Sequence, residues 1–236
     1  MEKTKLGGAS AILVGIFYLL TVILVLLSPP GENAVADHVT HMYPLMAVHY
    51  LLGFLGVFGI MVVLTISRTI KKQTSGSEWY PYSKVMAVIG FALLAINNFR
   101  QTGLDHELSH DAMQSGGPVL ESVVIGWVGL VELSPQGWID FGFVGIWILT
   151  VSVFSLKRNN QKVLSYLGLL GGTCFILTVL GNVTGLSILV MAGMGLGGLV
   201  VVPAWFIYYG ILLLKKPDSP ASLSSSNELI EKVKFR

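Results

Sequence analysis

Apolar residues run along this chain in long unbroken blocks, and most of the polar ones are gathered between them. The first block is Leu6–Leu27, "LGGASAILVGIFYLLTVILVLL", and it stops at Pro29-Pro30. The second is Leu45–Ile66, with "YLLGFLGVFGIMVVLTI" at its heart, and the third is Tyr80–Phe99. The fourth is Gly137–Leu156, the fifth Val163–Leu180 and the sixth Ser187–Leu214. A helix needs about 20 apolar residues to cross the hydrocarbon core of a bilayer. Each block fits that length, so the pattern predicts an all-α integral membrane bundle of six transmembrane helices over residues 1–216. The sixth block is long for one straight crossing, and Pro203 is its expected kink site.

The segments between the blocks add three expectations. Val119–Leu133, "VLESVVIGWVGLVEL", is apolar but too short to span and holds two glutamates. It reads as a short interfacial or re-entrant helix. The first block has a basic start and is followed by "AVA" at 34–36, as a signal peptide would be. Its apolar stretch exceeds the usual 7–15 residues of a signal core, so a retained helix is expected. Residues 217–236 are Ser-rich and polar at first, and read as a disordered tail.

Composition agrees with the pattern. The chain has 236 residues, of which 53% are hydrophobic and 12% charged, with mean hydropathy +0.72. A soluble domain carries about 25% charged residues. A net charge of +2 gives no footprint for nucleic acid. The single cysteine, Cys174, excludes an intrachain disulfide and a Cys-rich metal site.

Six crossings place both ends on one side, and basic residues mark the cytoplasmic side. Lys3 and Lys5 precede the first block; Arg68, Lys71, Lys72 and Lys84 surround the second turn. Lys157, Arg158 and Lys162 fill the fourth turn, and Lys215, Lys216, Lys232, Lys234 and Arg236 follow the last block. Only Arg100 falls on the other side. The expected topology is N-in, C-in, with Trp79, Tyr80 and Tyr82 as an inner aromatic anchor.

All five histidines are then outside. "HELSH" at 106–110 fits His-Glu-x-x-His, the core of the zincin metallopeptidases. His106 and His110 are i,i+4 neighbours that could hold zinc, with Glu107 activating a bound water. Against a membrane-bound zinc hydrolase stand the polar surroundings, "GLDHELSHDA", and the missing third His of the metzincin pattern. His38 and His41 are i,i+3, and Met42, Met46 and Met113 are near in sequence. A non-catalytic zinc or copper site on the outer side is therefore a second reading, pH sensing a third, and solvated loop histidines the plainest.

A further group is "AINNFRQ", Ala95–Gln101. Asn97, Arg100 and Gln101 share a helical face by i,i+3 and i,i+4 spacing. Asp140 is placed at similar depth in the fourth block, so Arg100–Asp140 is the expected ion pair. With His49 and Glu132 these residues would line an outward-opening ligand pocket. In "MAGMGLGG", Met191–Gly198, the glycines permit close helix packing, within the chain or between copies in a homo-oligomer. "GLLGG" at 168–172 is read the same way.

"GGASAILVGIFYLLTVIL", "VSVFSLKRNNQKVLSYLGLLGG" and "VVPAWFIYYGILLLKK" together resemble the bacterial multi-pass proteins grouped as domain of unknown function 4386. The resemblance implies a multi-pass protein of a bacterial cytoplasmic membrane. That family has no established activity, so no site residue follows from it. From the residues themselves, the expected function is binding, sensing, transport or an accessory role at a polar, His-rich outer site. The zinc hydrolase is the alternative.

Overall fold

Lengths of apolar chain set the crossings. The structure, a computed structural model, describes residues 2–27, 41–115, 134–157 and 161–215. Within them six helices are long and apolar enough to cross a membrane: Thr4–Leu27, Met42–Thr69, Trp79–Gly103, Trp138–Lys157, Lys162–Thr184 and Ser187–Lys215. These are the first to sixth spans. The ends of each differ from those of a predicted block by at most four residues, and no strand occurs among the described residues. The expected helix over 119–133 and the tail over 217–236 lie outside the described residues.

The bundle turns a large apolar surface outward. Leu26, Leu27, Ile188 and Met191 are each 70% exposed or more, and Ile23, Val85, Val163 and Leu186 are exposed beside them. In water so continuous an apolar surface would drive association; against lipid tails it is ordinary contact. The chain is a multi-pass helical membrane protein.

Inside, aromatic rings fill the centre. Trp147, Trp205, Phe91, Phe175 and Phe206 are fully buried. Trp147 and Trp205 meet edge-to-face with centroids 5.9 Å apart, a geometry that suits the ring quadrupoles. Small residues let the spans close around them. Gly193 and Gly197 of the sixth span sit against Thr178 and Cys174 of the fifth, and Gly168 and Gly172 sit against Ser152, Trp205 and Leu149. Both glycine stretches thus pack helices within this chain. Gly195, by contrast, has nothing within 4 Å of where a Cβ would stand.

Two spans depart from regular α geometry. The sixth is α-helical over Ser187–Ala192, π-helical over Gly193–Val201 and α-helical again over Val202–Lys215. The irregularity expected at Pro203 therefore lies just before it. Proline gives no N–H to the preceding turn and crowds the carbonyl four residues back, and the glycines there accept the wider turn. The fourth span opens with a 3-10 turn, Pro135–Gly137, followed by a π turn, Trp138–Gly142. Gln136 and Gly137 have φ of 67° and 78°, which bends the chain sharply as it enters the span.

Contacts between span ends sort the bundle into two ends. Gly7 lies against Thr65, and Gly8 against Gly210 and Leu214. Tyr80 donates its hydroxyl hydrogen to Ser67 Oγ at 2.8 Å, and Tyr80 and Phe154 meet edge-to-face at 6.1 Å. Lys157 Nζ lies 5.9 Å from the Phe154 ring centroid. Lys5, Arg68, Lys84, Lys157, Lys162 and Lys215 all belong to this end. Trp79 and Tyr82 are exposed there as an interfacial belt would be, whereas Tyr80, expected beside them, is 6% exposed and serves as an internal tie.

Candidate functional site

The opposite end carries the polar residues singled out in the sequence, and they fall into two groups. His49, Asn97, Arg100 and Gln101 belong to the outer reaches of the second and third spans. Those spans meet there through Phe54 and Phe99, whose rings stand edge-to-face at 5.2 Å. His49, Asn97 and Gln101 are half-buried and each is engaged by a neighbour; Arg100 is exposed.

Asp140 is elsewhere. Gly90 marks its level, since a Cβ at Gly90 would lie 2.6 Å from the Ile139 carbonyl oxygen and 3.3 Å from that of Asp140. A helix rises about 1.5 Å per residue, so Arg100 is ~15 Å farther along the third span than this contact. The structure therefore does not bring Arg100 and Asp140 together. Distance to the block ends suggests similar depth, but the third helix runs on to Ser115, well past the start of the fourth.

Asp140 is the third residue of the fourth candidate span, Trp138–Lys157. Thr150, which accepts a hydrogen bond from Trp79 Nε1 at 3.3 Å near the basic end, is ~15 Å from Asp140 along the fourth span. From Lys157, the far end of that span, Asp140 is ~25 Å, within the ~30 Å hydrocarbon thickness.

The local chain explains how a carboxylate is kept there. Ser134 is 1% exposed. Its Oγ accepts from the amides of Ile139 at 3.0 Å and Asp140 at 3.4 Å, which are among the amides that a helix start leaves without partners. Its hydroxyl donates to Asp140 Oδ1 at 2.8 Å, and the Phe141 amide donates to the same oxygen at 3.0 Å. From the fifth span, Asn182 Nδ2 donates to the Gln136 carbonyl at 3.2 Å, tying the bent entry to the neighbouring helix.

These residues frame an open cleft of ≈ 370 Å³ lined by Ser134, Gln136, Gly137, Asp140, Phe141 and Asn182. Of the six, only Asp140 was singled out in the sequence. Ser134, Gln136, Phe141 and Asn182 have no spacing signal linking them. "SPQG" at 134–137 is a turn signature, and that is the one sign that the chain is irregular here.

The remaining candidates stand as follows. His38 and Glu132 lie outside the described residues. His41 precedes the second span and is half-buried. The helix backbone continues through residues 106–110, so His106 and His110 are one turn apart on a continuous helix, while the side chains of 104–115 lie outside the description. Among the described residues no three His, Cys, Asp or Glu side chains gather as metal ligands would.

Comparison with family models, with curated proteins and with solved structures gives no match.

Proposed function

We propose that this is a multi-pass membrane protein, N-in and C-in, that takes a small polar ligand into the Asp140 cleft from the outer face. The carrying observation is an ionisable side chain near the start of an apolar span, lining a cleft of ≈ 370 Å³. Such a residue is costly in hydrocarbon and is kept where it meets a partner or a water-filled cavity. The irregular backbone at 134–142 supports the same reading, because non-helical backbone at that depth is tolerated where it lines a cavity. The outward opening rests on the basic end being cytoplasmic. The role is binding, whether for sensing or for transport; the His-rich outer segment and the resemblance to domain of unknown function 4386 belong to the proposal as features of the same outer face and the same fold. The zinc hydrolase reading has no support from the described residues.

The test is thiol labelling. Cys174 is buried and provides a silent background. A Gln136→Cys variant in intact cells should react with a membrane-impermeant maleimide added outside, and a Lys162→Cys control, exposed at the basic end, should not. Labelling of the Gln136→Cys thiol from the cytoplasmic side alone would refute the outward opening.

A further inference from the structure

We propose that the ligand of this cleft is a small organic ammonium ion carrying a single positive charge; the inference rests on the outward-cleft reading above. Charge comes first. Among the described residues lining the cleft there is one carboxylate, Asp140, and no Lys, Arg or His. Of its two oxygens, Oδ1 is the one that the described residues engage. Ser134 and Phe141 both donate to Oδ1, and among the described residues none donates to Oδ2. The amides at the start of the fourth span, which would otherwise draw an anion, are already answered by Ser134 Oγ and Asp140 Oδ1.

The other linings suit a cation too. Asn182 gives one amide hydrogen to the Gln136 carbonyl, and its side-chain oxygen is an acceptor. Phe141 offers an aromatic ring, whose face attracts ammonium groups, and the ring is fixed edge-to-face on buried Phe175 at 5.4 Å.

Size and donor number select among cations. A water occupies about 30 Å³, so the cleft holds the equivalent of roughly a dozen waters. A bare alkali ion would leave nearly all of that to water. A divalent ion of the calcium type takes about 6–8 oxygens with several carboxylates among them, and here there is one. An organic ammonium fills the volume, places its charge at Oδ2 and lays its carbon skeleton on Phe141.

The experiment is calorimetric titration of the full-length protein in lipid nanodiscs with ethylammonium, choline and tetraethylammonium. The control is 3,3-dimethylbutan-1-ol, which has the shape of choline without its charge. At least one ammonium ion should bind at millimolar concentration or below, and the neutral isostere should bind at least about tenfold more weakly than choline if choline is the one that binds. Asp140→Asn removes the charge but keeps an oxygen for Ser134 and Phe141, so the fold should survive while affinity drops by about tenfold or more. Should that variant fail to fold, Phe141→Leu keeps the bulk, removes the ring and should weaken binding severalfold. Three results would overturn the proposal: no binding by any of the three ions, binding by sodium or potassium alone, or undiminished binding in folded Asp140→Asn. If the Gln136→Cys thiol labels from outside while no ammonium ion binds, the ligand class is wrong and the cleft stands. If the thiol does not label, the cleft reading itself has failed.

Discussion

The two oxygens of Asp140 have different tasks. Oδ1 is a structural acceptor for Ser134 and Phe141; Oδ2 accepts from none of the described residues and is the oxygen proposed for the ligand. Ser134 is the residue that makes this division work, since it answers two amides and the carboxylate at once. Ser134→Ala removes a helix cap, a change that costs about 1 kcal/mol. It also leaves the carboxylate with one donor in place of two. The expected outcome is a thermal midpoint lowered by a few degrees in detergent, with larger loss of ammonium binding than in a cleft-distant substitution such as Gly195→Ala. An unchanged midpoint would remove Ser134 from this role. Asp140 could be found in the sequence because a lone acid in an apolar block is conspicuous. Ser134 could not, because a serine just before a proline in a polar turn is unremarkable until the π turn brings its hydroxyl back onto residue 140.

At the scale of elements, the six spans were legible almost to the residue, because lipid contact demands continuous apolar length and leaves no room for ambiguity. Their relative heights were not. Apolar length says how much helix is in the membrane, but polar continuation adds helix beyond it, as in Trp79–Ser115. Heights are set by contacts such as Gly90 against the carbonyls of Ile139 and Asp140. A side chain there must push the third and fourth spans apart. Gly90→Val should destabilise the protein by about 1–3 kcal/mol, the usual cost of overpacking. Gly193→Val, which would meet the Cys174 carbonyl and Thr178, should do the same, and Gly195→Ala should be silent. Thermal denaturation of the three variants side by side checks the ordering; a Gly195→Ala effect as large as the others would contradict the assigned heights.

For the whole molecule, the governing asymmetry is between a basic end closed by aromatic and hydroxyl ties and an opposite end where the spans stop at different heights. The fourth span begins below the ends of the second and third, so its bent entry lies below them with Gln136 exposed, while Ile188 and Met191 are exposed on the apolar surface. The central claim is that water reaches Asp140 at membrane depth through this notch. Electron paramagnetic resonance with spin labels in nanodiscs tests it directly. Labels at Ile188 and Met191 should collide with oxygen, which concentrates in hydrocarbon, and should be hidden from a water-soluble nickel chelate. A label at Gln136, of similar depth, should show the reverse. A Gln136 label that prefers oxygen and excludes the chelate would mean that lipid or protein fills the notch, and the account of a hydrated intramembrane site would be wrong.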